Sequence, residues 1–220
     1  MHHLSPTILC ADPLMLGETI EKLDALGVDW LHIDVMDGSF APNFAIGTDC
    51  LRAMRKASRS PFYVHMMVEK PADFIAPFAA IGVEYYCFHI ETAANPFRLC
   101  QKIEQAGMHP AVALNPITPV SLIQDLLPYL SAVTLMSVEP GFSGQKFLPH
   151  TYEKIRSLRK LAGSLPVRIE VDGGADFKIA RECVQCGCDV VVGGYFTLFD
   201  KSHSLEENYS LYQQAMEHIG

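Results

Sequence analysis

Leu31-His32-Ile33-Asp34-Val35-Met36-Asp37-Gly38 is the run from which the rest of the chain can be read. In a strand, alternate side chains share a face, so Leu31, Ile33 and Val35 form an apolar row while His32, Asp34 and Met36 point the other way. An imidazole and a carboxylate then stand side by side just ahead of an Asp-Gly turn. Two readings fit this fragment: a ligand pair at a strand end, or a half-buried strand carrying a stray histidine and aspartate.

Two further runs repeat the pattern. Pro61-Phe62-Tyr63-Val64-His65-Met66-Met67 brings a histidine near the end of a β-like run, and Ile169-Glu170-Val171-Asp172-Gly173-Gly174 ends another in Asp-Gly-Gly. Two histidines and two aspartates thus fall at the C-terminal ends of expected strands, where parallel α/β folds place their chemistry.

Around these runs the chain keeps one rhythm. Strands are expected over 5–9, 31–36, 61–67, 85–89, 110–114, 132–138, 169–172 and 189–192. Helices separate them: one capped by Asp12 and opened by Pro13 that runs toward Gly27, then 49–57, 71–82, 96–106, 120–127, 150–162 and 177–186, with a terminal helix last. No linker or low-complexity stretch interrupts the alternation. The expected fold is α/β, a single (β/α)8 TIM barrel filling one domain over 1–220, with an open doubly wound sheet as the rival. A barrel brings the ends of its second, third and seventh strands around one mouth.

Bulk properties narrow the function. The 220 residues are 49% hydrophobic and carry a formal charge of -8, which provides no basic field for nucleic acid or an anionic membrane. Seven cysteines is an odd number. Most fall within apolar elements, as buried thiols in a reducing compartment do, and Cys183, Cys186 and Cys188 lack the second pair a zinc site needs. With no membrane-length apolar run and no signal-peptide pattern, a cytoplasmic protein is expected. His2-His3 is assigned no role, and a homo-oligomer of open subunit number is expected.

Two imidazoles and two carboxylates suit one divalent ion, with Zn, Fe(II), Mn and Co all admissible. His32, Asp34, His65 and Asp172 are the candidate ligands. Two carboxylates on opposite sides of one carbon also form a proton-transfer pair, one removing a proton while the other returns one. Such a reaction inverts a stereocentre beside a carbonyl, where a Lewis acid stabilises the enediolate. Taken singly, each residue has an ordinary explanation, a core histidine or an Asp-Gly turn; their joint placement at strand ends argues for the site.

Glycines form a second group. Gly141-Phe142-Ser143-Gly144, Gly173-Gly174 and Gly193-Gly194 follow the sixth, seventh and eighth strands, where backbone N–H groups can close around a phosphate. Met36, Met67 and Met136 stand near strand ends, as an apolar wall for the reacting carbon or as core. Ser5 is a candidate partner for a sugar oxygen or a backbone group, and His89 and Glu91, ending the fourth strand, either line the mouth or, the favoured reading, stand buried behind it.

These motifs, together with Ser5-Pro6-Thr7-Ile8-Leu9, Pro42-Asn43, Leu114-Asn115-Pro116, Met136-Ser137-Val138-Glu139-Pro140-Gly141-Phe142 and Gly144-Gln145, resemble the ribulose-phosphate 3-epimerase family over nearly the whole length. The resemblance implies a metal-dependent isomerase of pentose phosphate metabolism that interconverts D-ribulose 5-phosphate and D-xylulose 5-phosphate. It implies that His32, Asp34, His65 and Asp172 bind the metal, and that Asp34 and Asp172 also exchange protons with C3. Ser5 and His65 would contact the sugar, the methionines would crowd the enediolate, and residues 141–144 with Gly174 would hold the phosphate.

Gly194-Tyr195 stands where the family usually has Gly-Ser, so a phenol replaces a small hydroxyl although the backbone amides of both residues remain for phosphate. Ser143 replaces a usual glycine. Allulose 6-phosphate 3-epimerases share the metal motif and differ in these outer loops, which makes them the alternative. A barrel that binds a sugar phosphate without turning it over is a further one. A metal-independent lyase would need a lysine at a strand end, and none is placed there.

Overall fold

The computed structural model describes residues 3–217; Met1, His2 and 218–220 lie outside the described residues. In chain order the elements are β1 (His3–Pro6), α1 (Leu16–Leu26), β2 (Leu31–Asp37), β3 (Phe44–Ala45), α2 (Thr48–Ala57), β4 (Phe62–Met67), α3 (Ile75–Ile81), β5 (Tyr85–His89) and α4 (Pro96–Gln105). There follow β6 (His109–Leu114), a 3-10 helix (Val120–Tyr129), β7 (Ala132–Met136), α5 (Thr151–Ala162), β8 (Arg168–Asp172), α6 (Phe177–Gln185), β9 (Val190–Gly193) and α7 (Leu205–Met216).

The strands lie in the order β1-β9-β8-β7-β6-β5-β4-β2-β3. All neighbours are parallel except β3, which runs back along β2 through Met36–Ala45 and Asp37–Phe44. A parallel bridge between Thr7 and His32 joins the end of β1 to β2. Eight parallel strands therefore close on themselves in chain order, a (β/α)8 TIM barrel, and the open doubly wound alternative is excluded. The extra strand is β3, so the third expected strand is β4 and the seventh is β8.

Local chemistry explains where elements start and stop. Asp12 accepts a hydrogen bond from the Leu14 N–H at 2.9 Å and caps a 3-10 turn, Pro13–Met15, that leads into α1. Ser204 and Glu207 form a reciprocal capping box at the start of α7. The helix expected over 120–127 is instead a tighter 3-10 helix with Pro128 inside it, where an α ladder would lack a donor.

The chain has two interiors. Outward-facing Leu31, Ile33, Val64, Phe88, Leu135, Ile169 and Val191 pack against Ile20, Leu51, Phe78, Ile103, Leu158 and Cys183 of the surrounding helices. Inside the barrel, Trp30 and Tyr63 on one side meet Ala111, Ala113 and Ala132 on the other. Large residues thus face small ones, as the taper of a barrel interior requires. Trp30 and Tyr63 stack with ring centres 5.6 Å apart, and Arg168 lies 4.9 Å beneath the Trp30 ring. That plug forms the floor on which the next inward layer sits.

Candidate active site

The period of two in β2 sends His32, Asp34 and Met36 into the barrel while Leu31, Ile33 and Val35 enter the outer core. The same alternation aims Tyr63, His65 and Met67 of β4 inward, and Glu170 and Asp172 of β8. Asp34 and His65 sit directly across from each other in the β2–β4 register.

One ligand atom from each of His32, Asp34, His65 and Asp172 lies within 4.8 Å of all the others. His32 Nε2 is 3.4 Å from Asp34 Oδ1 and 3.6 Å from Asp172 Oδ2. His65 Nδ1 is 3.2 Å from Asp34 Oδ1 and 3.5 Å from Asp172 Oδ2, and the two imidazole nitrogens are 3.3 Å apart. Such spacings are those of donors around one ion with bonds of about 2.1 Å. Both histidines are fully buried, and the aspartate side chains are 6% and 13% exposed.

The field at this point calls for positive charge. Burial opposes protonation of His32, yet Asp34, Glu170 and Asp172 push its pKa well above the ordinary value. Burial likewise opposes ionisation of Asp34, and His32 and His65 overcome it, holding that carboxyl far below its usual range. The residues fit a single divalent cation.

Behind the cluster, Glu170 is fully buried and accepts hydrogen bonds from Trp30 Nε1 at 3.1 Å and Thr134 Oγ1 at 3.0 Å. Its Oε1 stands 3.2 Å from His32 Nδ1 without hydrogen-bond alignment. Behind His65 lies His89, whose pKa burial pulls down to about 4, and beyond it Glu91.

Above the cluster opens a cleft. Of the expected residues, Asp34, Asp172, Met36, Met67, Met136, Gly141, Phe142, Ser143, Gly144, Gly173, Gly174, Gly194 and Tyr195 line it. His32 and His65 are buried just beneath. Gly174 has φ +65, and a Cβ there would lie 2.6 Å from Gln145 O and 2.7 Å from Phe147 N, so only glycine lets the two loops meet.

Ser5, expected to contact the sugar, stands away from the cleft. It is fully buried, and its hydroxyl has no hydrogen-bond partner. Thr7, two residues on and therefore on the same face one layer higher, does line the cleft. Its Oγ1 donates to Asp34 Oδ2 at 2.5 Å. Gln145 was also missed: its Nε2 donates to Glu139 O at 2.6 Å and Phe142 O at 2.9 Å, bracing the glycine loop. Both stand within motifs that carry the family resemblance, Ser5-Pro6-Thr7-Ile8-Leu9 and Gly144-Gln145.

Residues 3–198 match the model of the ribulose-phosphate 3 epimerase family. The chain is 38% identical over 193 residues to a ribulose-phosphate 3-epimerase of Treponema pallidum (strain Nichols), covering 87% of this chain and 88% of that one. It is 41% identical over 194 residues to that of Methanocaldococcus jannaschii, covering 87% and 82%. Among solved structures it resembles a tryptophan synthase alpha-subunit from Pyrococcus furiosus, with TM-score 0.71 and 15% identity over 100% of both chains. It also resembles the N-terminal domain of a putative aldolase from Bacteroides vulgatus, with TM-score 0.67 and 11% identity over 96% of this chain and 79% of that one. At such identities the structural likeness speaks for the barrel alone.

Proposed function

The chain belongs to the ribulose-phosphate 3-epimerase family, and from that premise we propose that it interconverts D-ribulose 5-phosphate and D-xylulose 5-phosphate by two-base proton transfer at C3. The observation that carries the reading is the pair Asp34 and Asp172. They come from separated strands, share one four-residue cluster, and both reach the cleft.

His32, Asp34, His65 and Asp172 would hold the cation, which would supply Lewis acidity for an enediolate. Asp34 takes the C3 proton on one side and Asp172 delivers one on the other; the reverse reaction exchanges the roles. Thr7 holds the second oxygen of Asp34, so the carboxylate keeps one orientation while its protonation changes. Met36, Met67 and Met136 wall off the planar intermediate from water. Backbone N–H groups of 141–144, Gly174, Gly194 and Tyr195 would bind the phosphate, a reading supported by their lining the cleft. His65 would touch the sugar only at its edge, since its ring is buried.

Wild-type protein with a divalent metal, incubated with D-ribulose 5-phosphate in deuterated water, is expected to exchange the C3 proton as xylulose 5-phosphate forms. Absence of exchange would remove the proposal.

A second reading has its own observation. Phe142, Tyr195 and Phe196 line the outer cleft and are 54%, 41% and 42% exposed. The phenol fills space where a small hydroxyl would leave a recess, so phosphate bound farther out suits the longer allulose 6-phosphate. Comparing kcat/KM on the two sugars decides between them.

The same proposal takes 1–220 as one barrel domain, a reading supported by the nine strands among the described residues sharing one sheet. No helix among the described residues is long and apolar enough to cross a membrane. A cytoplasmic protein is supported by seven free thiols. Nucleic acid is disfavoured as a partner by the charge of -8. A homo-oligomer is supported by exposed Ile117, Leu122 and Tyr129.

A further inference from the structure

We propose that Glu91 and His89 are positioning residues that fix which nitrogen of His65 carries the proton, and through it the affinity of the cluster for a divalent cation. The inference rests on the reading of His32, Asp34, His65 and Asp172 as the ligands.

His65 turns Nδ1 to the cluster, 3.2 Å from Asp34 Oδ1, so a ligand lone pair there requires its proton on Nε2. That Nε2 lies 2.8 Å from His89 Nε2. Two N–H groups cannot face each other at this distance, so His89 Nε2 must be bare and its proton must sit on Nδ1. His89 Nδ1 lies 3.3 Å from Glu91 Oε2, an oxygen that only accepts. Both rings are fully buried, while the Glu91 side chain is 23% exposed. Proton order is therefore set at the rim and passed inward through two rings. His32 has no such intermediary, because Glu170 stands directly behind it.

What pins Glu91 is a backbone group that cannot reverse. Its Oε1 accepts the Asn115 N–H at 2.8 Å and also the Thr118 hydroxyl. In Glu91→Gln the amide oxygen stays with the Asn115 N–H, so the NH2 group faces His89. His89 must then accept on Nδ1 and carry its proton on Nε2, which forces the His65 proton onto Nδ1, the ligand nitrogen. Glu91→Ala merely releases His89 and leaves both tautomers open. The isosteric change is thus the more damaging one for the metal, while Ala is the more damaging one for the fold.

Co(II) titration against a competing chelator, read through its visible absorption bands, tests this in wild type, Glu91→Gln and Glu91→Ala, beside melting of the metal-free proteins. Orienting partners of ligands are worth about 10- to 100-fold in metal affinity. Glu91→Gln is expected to lose about 100-fold, Glu91→Ala less, and the metal-free melting temperatures to rank in the opposite order. Wild-type affinity in Glu91→Gln, or Ala weaker than Gln for Co(II), overturns the relay. A wild type that binds no Co(II) overturns the ligand reading together with it.

Discussion

Thr7 Oγ1 and Asp34 Oδ2 stand 2.5 Å apart across the seam where β1 meets β2, the place at which the barrel closes. Closure and chemistry share that seam, because the hydroxyl that bridges it also holds a carboxylate of the site. Hydrogen bonds to charged groups contribute about 1.5–3 kcal/mol. Thr7→Val is therefore expected to lower kcat/KM by about 10- to 100-fold, and Thr7→Ser to restore most of it. Steady-state kinetics check both; equal rates for Val and Thr would remove Thr7 from the site.

Asp172→Asn keeps the volume of the side chain and cannot take a proton. Turnover is expected to fall by about 10³-fold, within the range that positioned acid–base groups contribute. The surviving Asp34 should still wash deuterium into C3 of one epimer. NMR of each pure epimer in deuterated water makes the measurement, and exchange into both at unchanged rates would exclude Asp172 as a base.

Gly174→Ala brings a Cβ to within 2.6 Å of backbone at Gln145 and forces a left-handed residue. A rise of at least about tenfold in KM is expected, with a lower melting temperature, since the 144–147 loop must retreat from the cleft. An unchanged KM would show that this contact does not shape the phosphate end.

Asp24 provides a pH prediction away from the metal. Burial pushes its carboxyl up, but Ser60 Oγ at 2.5 Å, the Arg59 N–H at 2.7 Å and Ser58 Oγ at 2.8 Å outweigh it, so the pKa is lowered. A carboxylate lowered by folding stabilises above its unfolded pKa of about 3.9, and the gain is lost as pH falls through the lower folded value. Asp24→Asn should melt below wild type at neutral pH, and the gap should shrink on acidification below about pH 4. A gap constant from pH 7 to 3 would contradict this.

Candidate metal ligands were legible where a period-two strand ending in Asp-Gly announces both its inward face and its mouth. That holds for Asp34 and Asp172, whose runs end in Asp-Gly; His65, followed by Met66-Met67-Val68, became legible only through its joint placement with them at a strand end. Thr7 is not singled out by the sequence, because height along the barrel axis depends on stagger between strands, and β1 is staggered so that Thr7, not Ser5, reaches His32. No local pattern records that offset. β3 is two residues long, too short for an alternation to register, and Val120–Tyr129 has helical spacing but carries Pro128. The tie between Glu91 and the backbone of Asn115 joins residues far apart in sequence, which periodicity cannot reveal.

The stacked Trp30 and Tyr63 leave the barrel with one door. Whatever enters must do so past the same rim, and the last arrival obstructs the exit of the first. Sugar phosphate seated in the cleft would therefore cap the ion below it, so a working enzyme should surrender its metal to a chelator more slowly than a resting one.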